Sequence, residues 1–481
     1  MKRRGSALDL DPEARAALWR RVAELLEQHV VALSEPDAPL VPGRSNDAIA
    51  EEVGRLDLDG PREPGALLDE VVRALEDGVV HTDHPRYFGL FNSAPAALTV
   101  VADAIVSAYN AQLATRGHAP WPVAIEERLI AELGARFGWA PSACRGAFTT
   151  GGGEANMTAL ACALFATSPE VGERGVRALP AEPRVYVSTE GHATVRRAAR
   201  LAGIGEGAVR VVSADAAHRM KPAALREAIA DDRRNGALPL LVVATAGTTS
   251  SGGIDPLDEI ATIAARERCW LHVDAAWGGL AALVPELRSA IDGVERADSI
   301  TFDAHKVMSA PIGTGTFLTR REGILERVFG ANTGYMPRDG SSDPYARSIQ
   351  WSRRFLGLRL LLPLATLGWD GYAASLRRQV ALADRLREGL RARRWRIVND
   401  TPLPIVCFVD ASEGSGARDN RFLDAVARAT IGSAGGWISV PRFASGARAL
   451  RACVNNHRTE ERDIDRLVDA LDQARAAARR G

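Results

Sequence analysis

Lys306 is the residue whose surroundings most strongly suggest covalent chemistry in this chain of 481 residues. It closes the segment 301–306 (TFDAHK), which follows a short apolar run, and it is the only lysine after Lys221. An amine is nucleophilic only when deprotonated, and a partly desolvated pocket at a strand end favours that state. The alternative is an ordinary solvated lysine. Lys306 is therefore a candidate amine nucleophile.

Asp274 ends a second apolar run, WLHV at 270–273, and two alanines follow it. The pattern predicts one carboxylate at a strand end with little bulk beside it. A flat heterocycle could then lie over Ala276 while Asp274 reaches a ring nitrogen. A carboxylate in that position keeps a pyridine nitrogen protonated, so that the ring can accept electrons. The alternative is an aspartate that caps the next helix or turn.

The segment 149–156 (TTGGGEAN) is a candidate anion site. Its glycines let backbone N–H groups approach an anion, and the start of the following helix adds a favourable dipole. We assign Gly152 and Gly153 to this phosphate loop. A plain loop with a helix cap is the alternative. The segment lacks the Gly-Lys-Ser/Thr of a Walker A loop and the glycine spacing of a dinucleotide fingerprint.

Two further polar positions follow predicted strands. His192 comes just after a strand and opens a helix, which suits either an aromatic lid over a cofactor ring or a structural histidine. The pair Thr248-Thr249 lies at another strand end and could hydrogen-bond a phenolic oxygen or a carboxylate.

The elements that must position these residues form an alternating pattern from about residue 145 onward. Apolar strands alternate with amphipathic helices, which predicts a largely parallel sheet with its ligand site at the C-terminal strand ends. The predicted strands are 184–188, 208–213, 238–245, 269–274 and 299–302, and the predicted helices are 154–165, 194–201, 222–232 and 257–267.

This pattern gathers a phosphate loop, a ring-stacking histidine, a threonine pair, a carboxylate for a ring nitrogen and an imine-forming amine at one edge of the sheet. Pyridoxal 5'-phosphate needs all five of these groups. The sequence therefore predicts that cofactor.

Three regions divide the chain. We predict an N-terminal helical arm at 1–85, a large cofactor-binding domain at 86–370 and a small C-terminal α+β domain at 371–481. A long helix at about 356–393 leads into the last region, where we predict strands 405–409 and 449–454 and helices 420–430 and 460–478.

Composition limits the class of protein. The 60 basic and 60 acidic side chains cancel, which argues against nucleic acid or an anionic membrane as a partner. The five scattered cysteines form no CxxC pair and suggest neither a disulfide framework nor a zinc site. We find no apolar run of membrane-spanning length and no secretory signal, and we expect no metal site and a cytoplasmic location.

The ordered motifs resemble the group II pyridoxal-phosphate decarboxylases, relatives of aromatic-L-amino-acid, glutamate and aspartate decarboxylases. The resemblance runs from about His84 to Glu460 and rests on GGxEAN at 151–156, His192, GTT at 247–249, HVDAA at 272–276 and HK at 305–306. It implies the α/β fold of type I pyridoxal-phosphate transferases, with a mostly parallel seven-stranded sheet and flanking helices, and a homodimer.

The resemblance also implies roles for individual positions. Lys306 is similar to the Schiff-base lysine, Asp274 to the partner of the pyridine nitrogen and His192 to the ring-stacking histidine. Thr249 matches the threonine near the ring hydroxyl and the substrate carboxylate. Tyr335 aligns with a mobile-loop tyrosine that returns a proton to the substrate carbon. The other implied cofactor-binding residues are Gly152, Gly153, Ala276, Asp303 and His305.

The chain departs from the family pattern at several positions. Gly153 replaces a common serine or threonine, so one phosphate hydroxyl donor is missing, and Thr150 is the substitute that we predict. Ala304 replaces a frequent proline and Val307 a frequent tryptophan. The segment 114–121 (ATRGHAPW), expected beside the substrate side chain, matches no named subfamily.

The predicted function is decarboxylation of a small L-amino acid to its amine and CO₂. An aldehyde synthase or a lyase on the same scaffold is the first alternative, and Tyr335 favours simple decarboxylation because aldehyde-forming relatives typically carry phenylalanine there. A non-catalytic dimeric pseudoenzyme is the second alternative, which the intact Lys306, Asp274 and His192 disfavour. The identity of the amino acid stays open.

Overall fold

A seven-stranded sheet forms the centre of the molecule. The structure is a computed structural model that describes residues 8–35, 37–331, 343–412 and 417–480. The strands are β1 (Arg145–Thr149), β2 (Pro183–Ser188), β3 (Val209–Val212), β4 (Leu238–Thr245), β5 (Trp270–Asp274), β6 (Ser299–Asp303), β7 (Gly315–Thr319), β8 (Trp395–Ile397), β9 (Ile405–Asp410) and β10 (Leu450–Cys453).

Helices cover both faces of this sheet and build the two ends of the chain. They are α1 (Pro12–Ala32), α2 (Asn46–Gly54), α3 (Pro64–Gly78), α4 (Ala97–Tyr109), α5 (Pro120–Arg136), α6 (Gly152–Thr167), α7 (Val171–Arg174), α8 (Thr194–Leu201), α9 (Pro222–Arg234), α10 (Leu257–Arg266), α11 (Ala304–Val307), α12 (Ile324–Phe329), α13 (Leu358–Ala392), α14 (Ala417–Gly432) and α15 (Glu461–Arg480).

The large sheet has the strand order β1-β7-β6-β5-β4-β2-β3. Strands β2 to β6 pair in parallel, whereas β7 is antiparallel to both of its neighbours. In the register, Thr245 of β4 lies beside Asp274 of β5, which in turn lies beside Thr301 of β6. The C-terminal ends of the three central strands are therefore level.

The central strands are apolar along their whole length because both of their faces are buried. In β4, Val242 and Ala244 pack into the core on the side of α9 and α10, whereas Leu241 and Val243 pack into the core on the side of α6 and α8. The result is a three-layer α/β domain, as the sequence predicted.

A second core lies in the C-terminal part of the chain. The antiparallel sheet β10-β9-β8 packs with α14, α15 and the second half of α13. Phe88 joins this core although it precedes the large sheet in the chain. Helix α13 is bent at Gly368, where φ is 64°, close to the domain boundary that we predict at 370/371. The two predicted domain boundaries, 85/86 and 370/371, stay predictions.

Some elements were not predicted from the sequence. Strands β1 and β7 carry glycine and threonine instead of a long apolar run, and Gly146 of β1 lowers the strand signal. That glycine is required by packing, because a Cβ at Gly146 would lie 2.2 Å from the backbone oxygen of Phe317. Helix α2 and strand β8 were also missed. Within the described ranges, no helix is both long and apolar enough to span a bilayer.

Candidate active site

A small cavity lies at the C-terminal ends of β4, β5 and β6. Its volume is about 60 Å³. It brings together seven residues predicted from the sequence, namely Gly152, Gly153, His192, Thr249, Asp274, Ala276 and Lys306. Phe91, Asn156, Thr194, Thr245, Gly247 and Trp277 also line it.

Lys306 is held at the cavity by the short helix α11. Its Nζ lies 3.0 Å from Oδ2 of Asp303, the last residue of β6. The same oxygen accepts a hydrogen bond from the backbone N–H of Gly152 at 3.1 Å. Asp303 is almost completely buried, so that this carboxylate fixes both the amine and the start of α6 relative to the end of β6.

Asp274 is buried at the end of β5 with a hydrogen bond to each carboxylate oxygen. Asn156 Nδ2 donates to Oδ2 at 2.9 Å, and the backbone N–H of Ala276 donates to Oδ1 at 3.2 Å. These two N–H donors fix the orientation of the carboxylate. Helix α6 begins at the cavity with Gly152. Asn156 lies four residues later on the same helix face, and its side chain is therefore directed to the cavity and to Asp274.

His272 orients Asn156 from the opposite side. Asn156 Nδ2 donates to Asp274, so Asn156 Oδ1 is an acceptor and His272 Nε2 donates to it at 2.9 Å. In the neutral ring Nδ1 is then an acceptor, and the Ser299 hydroxyl, which accepts from Trp270 Nε1, donates to it at 2.8 Å. Burial lowers the pKa of His272 to about 4, against the charge of Asp274. The neutral tautomer with its proton on Nε2 is therefore fixed.

His192 has a similarly fixed proton. The backbone N–H of Thr194 donates to His192 Nδ1 at 3.3 Å, and the Thr194 hydroxyl lies 2.8 Å from the same atom. Asn156 Nδ2 donates to that hydroxyl at 2.9 Å, so the hydroxyl proton goes to Nδ1. Burial lowers the pKa of His192, Asp274 raises it, and Lys306 lowers it. His192 is thus neutral near pH 7, with its proton on Nε2.

The glycine loop begins α6 without a side-chain cap. A Cβ at Gly152 would lie 3.2 Å from Asp303 Oδ2 and 3.4 Å from Ala276 Cβ, so that a larger residue would crowd the cavity floor. Thr150, which we predict as a phosphate donor, donates its hydroxyl to Glu154 at 2.8 Å. It would have to exchange that partner in order to bind a phosphate.

Thr249 is held in place from the C-terminal region. Arg451, which is buried, donates to the backbone oxygen of Thr249 and, at 2.8 Å, to that of Gly89. His305 lies beside the cavity with Nδ1 donating to the backbone oxygen of Thr314 at 3.1 Å, and Nε2 is 3.7 Å from Asp303. Tyr335 lies outside the described residues.

Sequence reasoning missed the roles of Asn156 and Thr194. Asn156 was part of a quoted motif, and one signal could have identified it: a polar residue four positions after Gly152 on an otherwise small and apolar helix. Thr194 carried no signal of its own, because a threonine at the first position of a helix is common. Its contact with His192 depends on the tertiary structure.

The residues around the cavity fit pyridoxal 5'-phosphate. The lining supplies an amine, a buried carboxylate, an imidazole and a glycine loop at a helix start. In addition, Trp277 Nε1 and Asp303 Oδ1 are buried without a hydrogen-bond partner among the described residues. One donor and one acceptor at this end of the sheet can therefore bind a polar ligand.

Comparison with known proteins supports the same cofactor. The family model for the pyridoxal-dependent decarboxylase conserved domain matches residues 52–410. L-2,4-diaminobutyrate decarboxylase of Rhizobium meliloti (strain 1021) is 32% identical over 87% of this chain and 84% of its own length. Cysteine sulfinic acid decarboxylase of Rattus norvegicus is 32% identical over 83% and 82%.

Solved structures agree. Mouse CSAD superposes with a TM-score of 0.91 at 28% identity, covering 97% of this chain and 99% of that one. Oryza sativa TDC with PLP and tryptamine gives a TM-score of 0.89 at 25% identity, covering 98% and 99%. This protein therefore belongs to the pyridoxal-dependent decarboxylase family, whose members use pyridoxal phosphate to remove CO₂ from an amino acid.

Proposed function

We propose that this chain decarboxylates a small L-amino acid in the cavity formed by Lys306, Asp274 and His192. The observation that carries the proposal is the chain of hydrogen bonds from His272 through Asn156 to Asp274, because it fixes a buried carboxylate in the same cavity as a candidate nucleophilic amine. When bound, pyridoxal phosphate supplies a protonated ring that accepts the electron pair left by CO₂.

Each side chain then has a separate task. Lys306 provides the amine that binds the cofactor aldehyde, and Asp303 orients it. Asp274 holds the proton on the ring nitrogen. His192 offers a face for the ring and a proton on Nε2. Thr249 faces the substrate carboxylate, and Tyr335 returns a proton to the substrate carbon. The backbone N–H of Gly153 would hold the phosphate at the start of α6, whereas Gly152, whose own N–H is hydrogen-bonded to Asp303, would leave room for it. His305 and Ala276 would complete the pocket.

The substrate class rests on the relatives. Their names specify a diamino acid and a sulfinic amino acid, both with short polar side chains. We propose a short polar amino acid here as well. Initial rates of CO₂ release from L-2,4-diaminobutyrate, L-cysteine sulfinate, L-aspartate, L-glutamate and L-tryptophan test this. A clear preference for tryptophan would contradict it.

We further propose a cytoplasmic homodimer. Helix α4 exposes Val101, Ile105 and Tyr109, and Trp121 at the start of α5 is 57% exposed. Such a concentration of apolar side chains on neighbouring helices is typical of a protein interface. The five cysteines are buried and free, which suits a reducing compartment.

The decisive test of the reaction is Lys306→Ala. We expect the variant to lose the near-visible absorbance of lysine-bound cofactor and nearly all amine production, because among the described residues no other lysine lines the cavity. The wild-type enzyme should release amine and CO₂ in equal amounts without hydrogen peroxide. An unchanged absorbance band in Lys306→Ala would show that Lys306 does not bind the cofactor. Hydrogen peroxide from the wild type would indicate an aldehyde synthase.

A further inference from the structure

We propose that His29, His81 and Asp83 form a zinc site that joins α1 to the turn that follows α3. His29 lies in the last turn of α1, and His81 and Asp83 lie in the turn that follows α3. Each residue offers one ligand atom, and the three atoms lie within 4.8 Å of one another. This cluster is separate from the cavity at Lys306.

His81 provides independent support because one of its buried ring nitrogens has no hydrogen-bond partner among the described residues. Its Nε2 lies 2.9 Å from the backbone oxygen of Glu76. A carbonyl oxygen only accepts hydrogen bonds, so that Nε2 carries the proton and Nδ1 carries the lone pair. Nδ1 is buried without a partner among the described residues, in a side chain that is 3% exposed.

This arrangement is the one that metal-binding histidines adopt. Such a histidine usually donates its second ring N–H to a carbonyl or a carboxylate, which fixes the tautomer and turns the free lone pair toward the ion. The backbone around His81 is also fixed, because its N–H donates to Leu40 and its carbonyl accepts from His84. A buried lone pair is therefore already oriented before any ion binds.

His29 and Asp83 complete the ligand set. His29 Nε2 lies 2.8 Å from Asp83 Oδ2, so that the two share a proton that a cation would replace. The carboxylate of Glu76 adds negative charge near His29, whereas Arg458 adds an opposing positive charge. Both ligands are half-buried, with side chains 27% and 22% exposed, which leaves a path for an ion to enter.

The donor types fit zinc, which is the ion that we propose. Two imidazoles and one carboxylate match the nitrogen and oxygen donors that zinc takes in four-coordinate sites, with a fourth position left for water. Calcium and magnesium prefer oxygen ligands throughout. Tetrahedral ligands about 2 Å from zinc lie roughly 3.3 Å apart. The three ligand atoms, which now lie within 4.8 Å of one another, must therefore move to reach that spacing.

The position of the site indicates a structural task. His29 belongs to α1, whereas the backbone oxygen of Asp83 accepts from Asn456 Nδ2 at 3.1 Å in the C-terminal region. An ion bound to both residues would fasten α1 to the segment that leads to Phe88 and the second core. Zinc binding should therefore raise the thermal stability of the native chain.

The test uses the cofactor-loaded full chain after dialysis against a chelator. Zinc chloride is titrated in competition with a chromophoric chelator. We expect one zinc per chain in the wild type and affinity lower by about tenfold or more in His81→Ala. His218→Ala is the matched control, because His218 pairs with Glu190 outside the cluster. It should bind zinc like the wild type.

A second variant separates the loss of a zinc ligand from the loss of the fold. Asp83→Asn keeps the shape of the side chain but loses its charge, and we expect the same loss of zinc affinity with an unchanged circular dichroism spectrum. Cobalt(II) added to the wild type should give the visible absorption of a tetrahedral site, which both variants lack. Wild-type zinc binding below one per chain, or affinity in both folded variants equal to that of the wild type, would overturn the site.

Discussion

The amide of Asn156 lies between two ionisable groups, with Nδ2 directed to Asp274 and Oδ1 directed to His272. This orientation requires a proton on Nε2 of His272, and in the neutral ring Nδ1 is then left to accept from the Ser299 hydroxyl. At the scale of residues, the active site therefore depends on a histidine that does not line the cavity at Lys306. Its burial stabilises the required tautomer and at the same time makes the fold sensitive to acid.

The sensitivity has a definite sign. The pKa of His272 is about 4 in the folded chain, below its ordinary value, because burial disfavours the charged ring. Between about pH 6.5 and 4 the unfolded chain binds the proton more readily, so that stability falls as the pH is lowered. At pH 5 this histidine alone accounts for a loss of about 2 kcal/mol relative to pH 7.5.

Replacing His272 with Gln should reduce that pH dependence. We expect the loss of unfolding free energy between pH 7.5 and 5 to be smaller by about 2 kcal/mol in His272→Gln than in the wild type. Denaturant titrations at both pH values measure it, and His118→Gln at an exposed histidine is the control. An identical loss in wild type and His272→Gln would show that His272 is not neutral in the folded chain.

At the scale of elements, the level ends of β4, β5 and β6 require close contact between the loops that follow them. A Cβ at Gly278 would lie 2.1 Å from the backbone oxygen of Ala246, and Gly247 has φ 91° with its own Cβ position 2.9 Å from Gly278. The loop that carries Thr249 thus packs against the loop after Asp274 without any side chain between them.

Gly278→Ala should separate these two loops. We expect a destabilisation of about 1–3 kcal/mol from overpacking and weaker binding of pyridoxal phosphate, since Thr249 and Asp274 move apart. Thermal melting and fluorescence titration with the cofactor measure the two effects. Gly207→Ala is the control, because that position has open space around it. If both variants bind the cofactor equally well, the loop contact does not position the site.

The sequence predicts those parts of the architecture that depend on neighbouring residues, and it misses those that depend on contacts between residues far apart in the chain. Strands β4 to β6 and the residues at their ends were predicted, because buried parallel strands leave long apolar runs. Strand β1 was missed, since its glycine serves a contact with Phe317, far along the chain. The cluster of His29 and His81 was missed for the same reason, as a spacing across α2 and α3 has no periodic signature.

At the scale of the whole molecule, the exposed apolar side chains of α4 and α5 are the feature that a single chain does not explain. Helix α4 buries Ala102 and Val106 against α13 but leaves Val101 and Ile105 in solvent. A helix that is apolar on more than one side requires a second partner. In the homodimer that we propose, that partner is a second copy of the chain.

Ile105→Glu should therefore prevent dimer formation. Because a buried unpaired carboxylate is costly, we expect the variant to elute as a monomer at micromolar concentration while the wild type elutes as a dimer. Size-exclusion chromatography with light scattering measures the masses. Leu201→Glu, at a residue that is 64% exposed elsewhere, is the control and should remain dimeric. A wild-type monomer, or a dimeric Ile105→Glu variant, would contradict the assignment.

The pairing of β1 with β7 has a consequence for synthesis on the ribosome. Strand β1 is an edge strand whose one neighbour in the sheet is β7. Arg145 pairs with Thr319, so β1 cannot form its backbone hydrogen bonds until β7 has been synthesised. At about 5–20 residues per second, those intervening residues take roughly 10–30 s to emerge. During that interval the nascent chain exposes an unpaired strand, and we expect its yield to depend on chaperones that shield such segments.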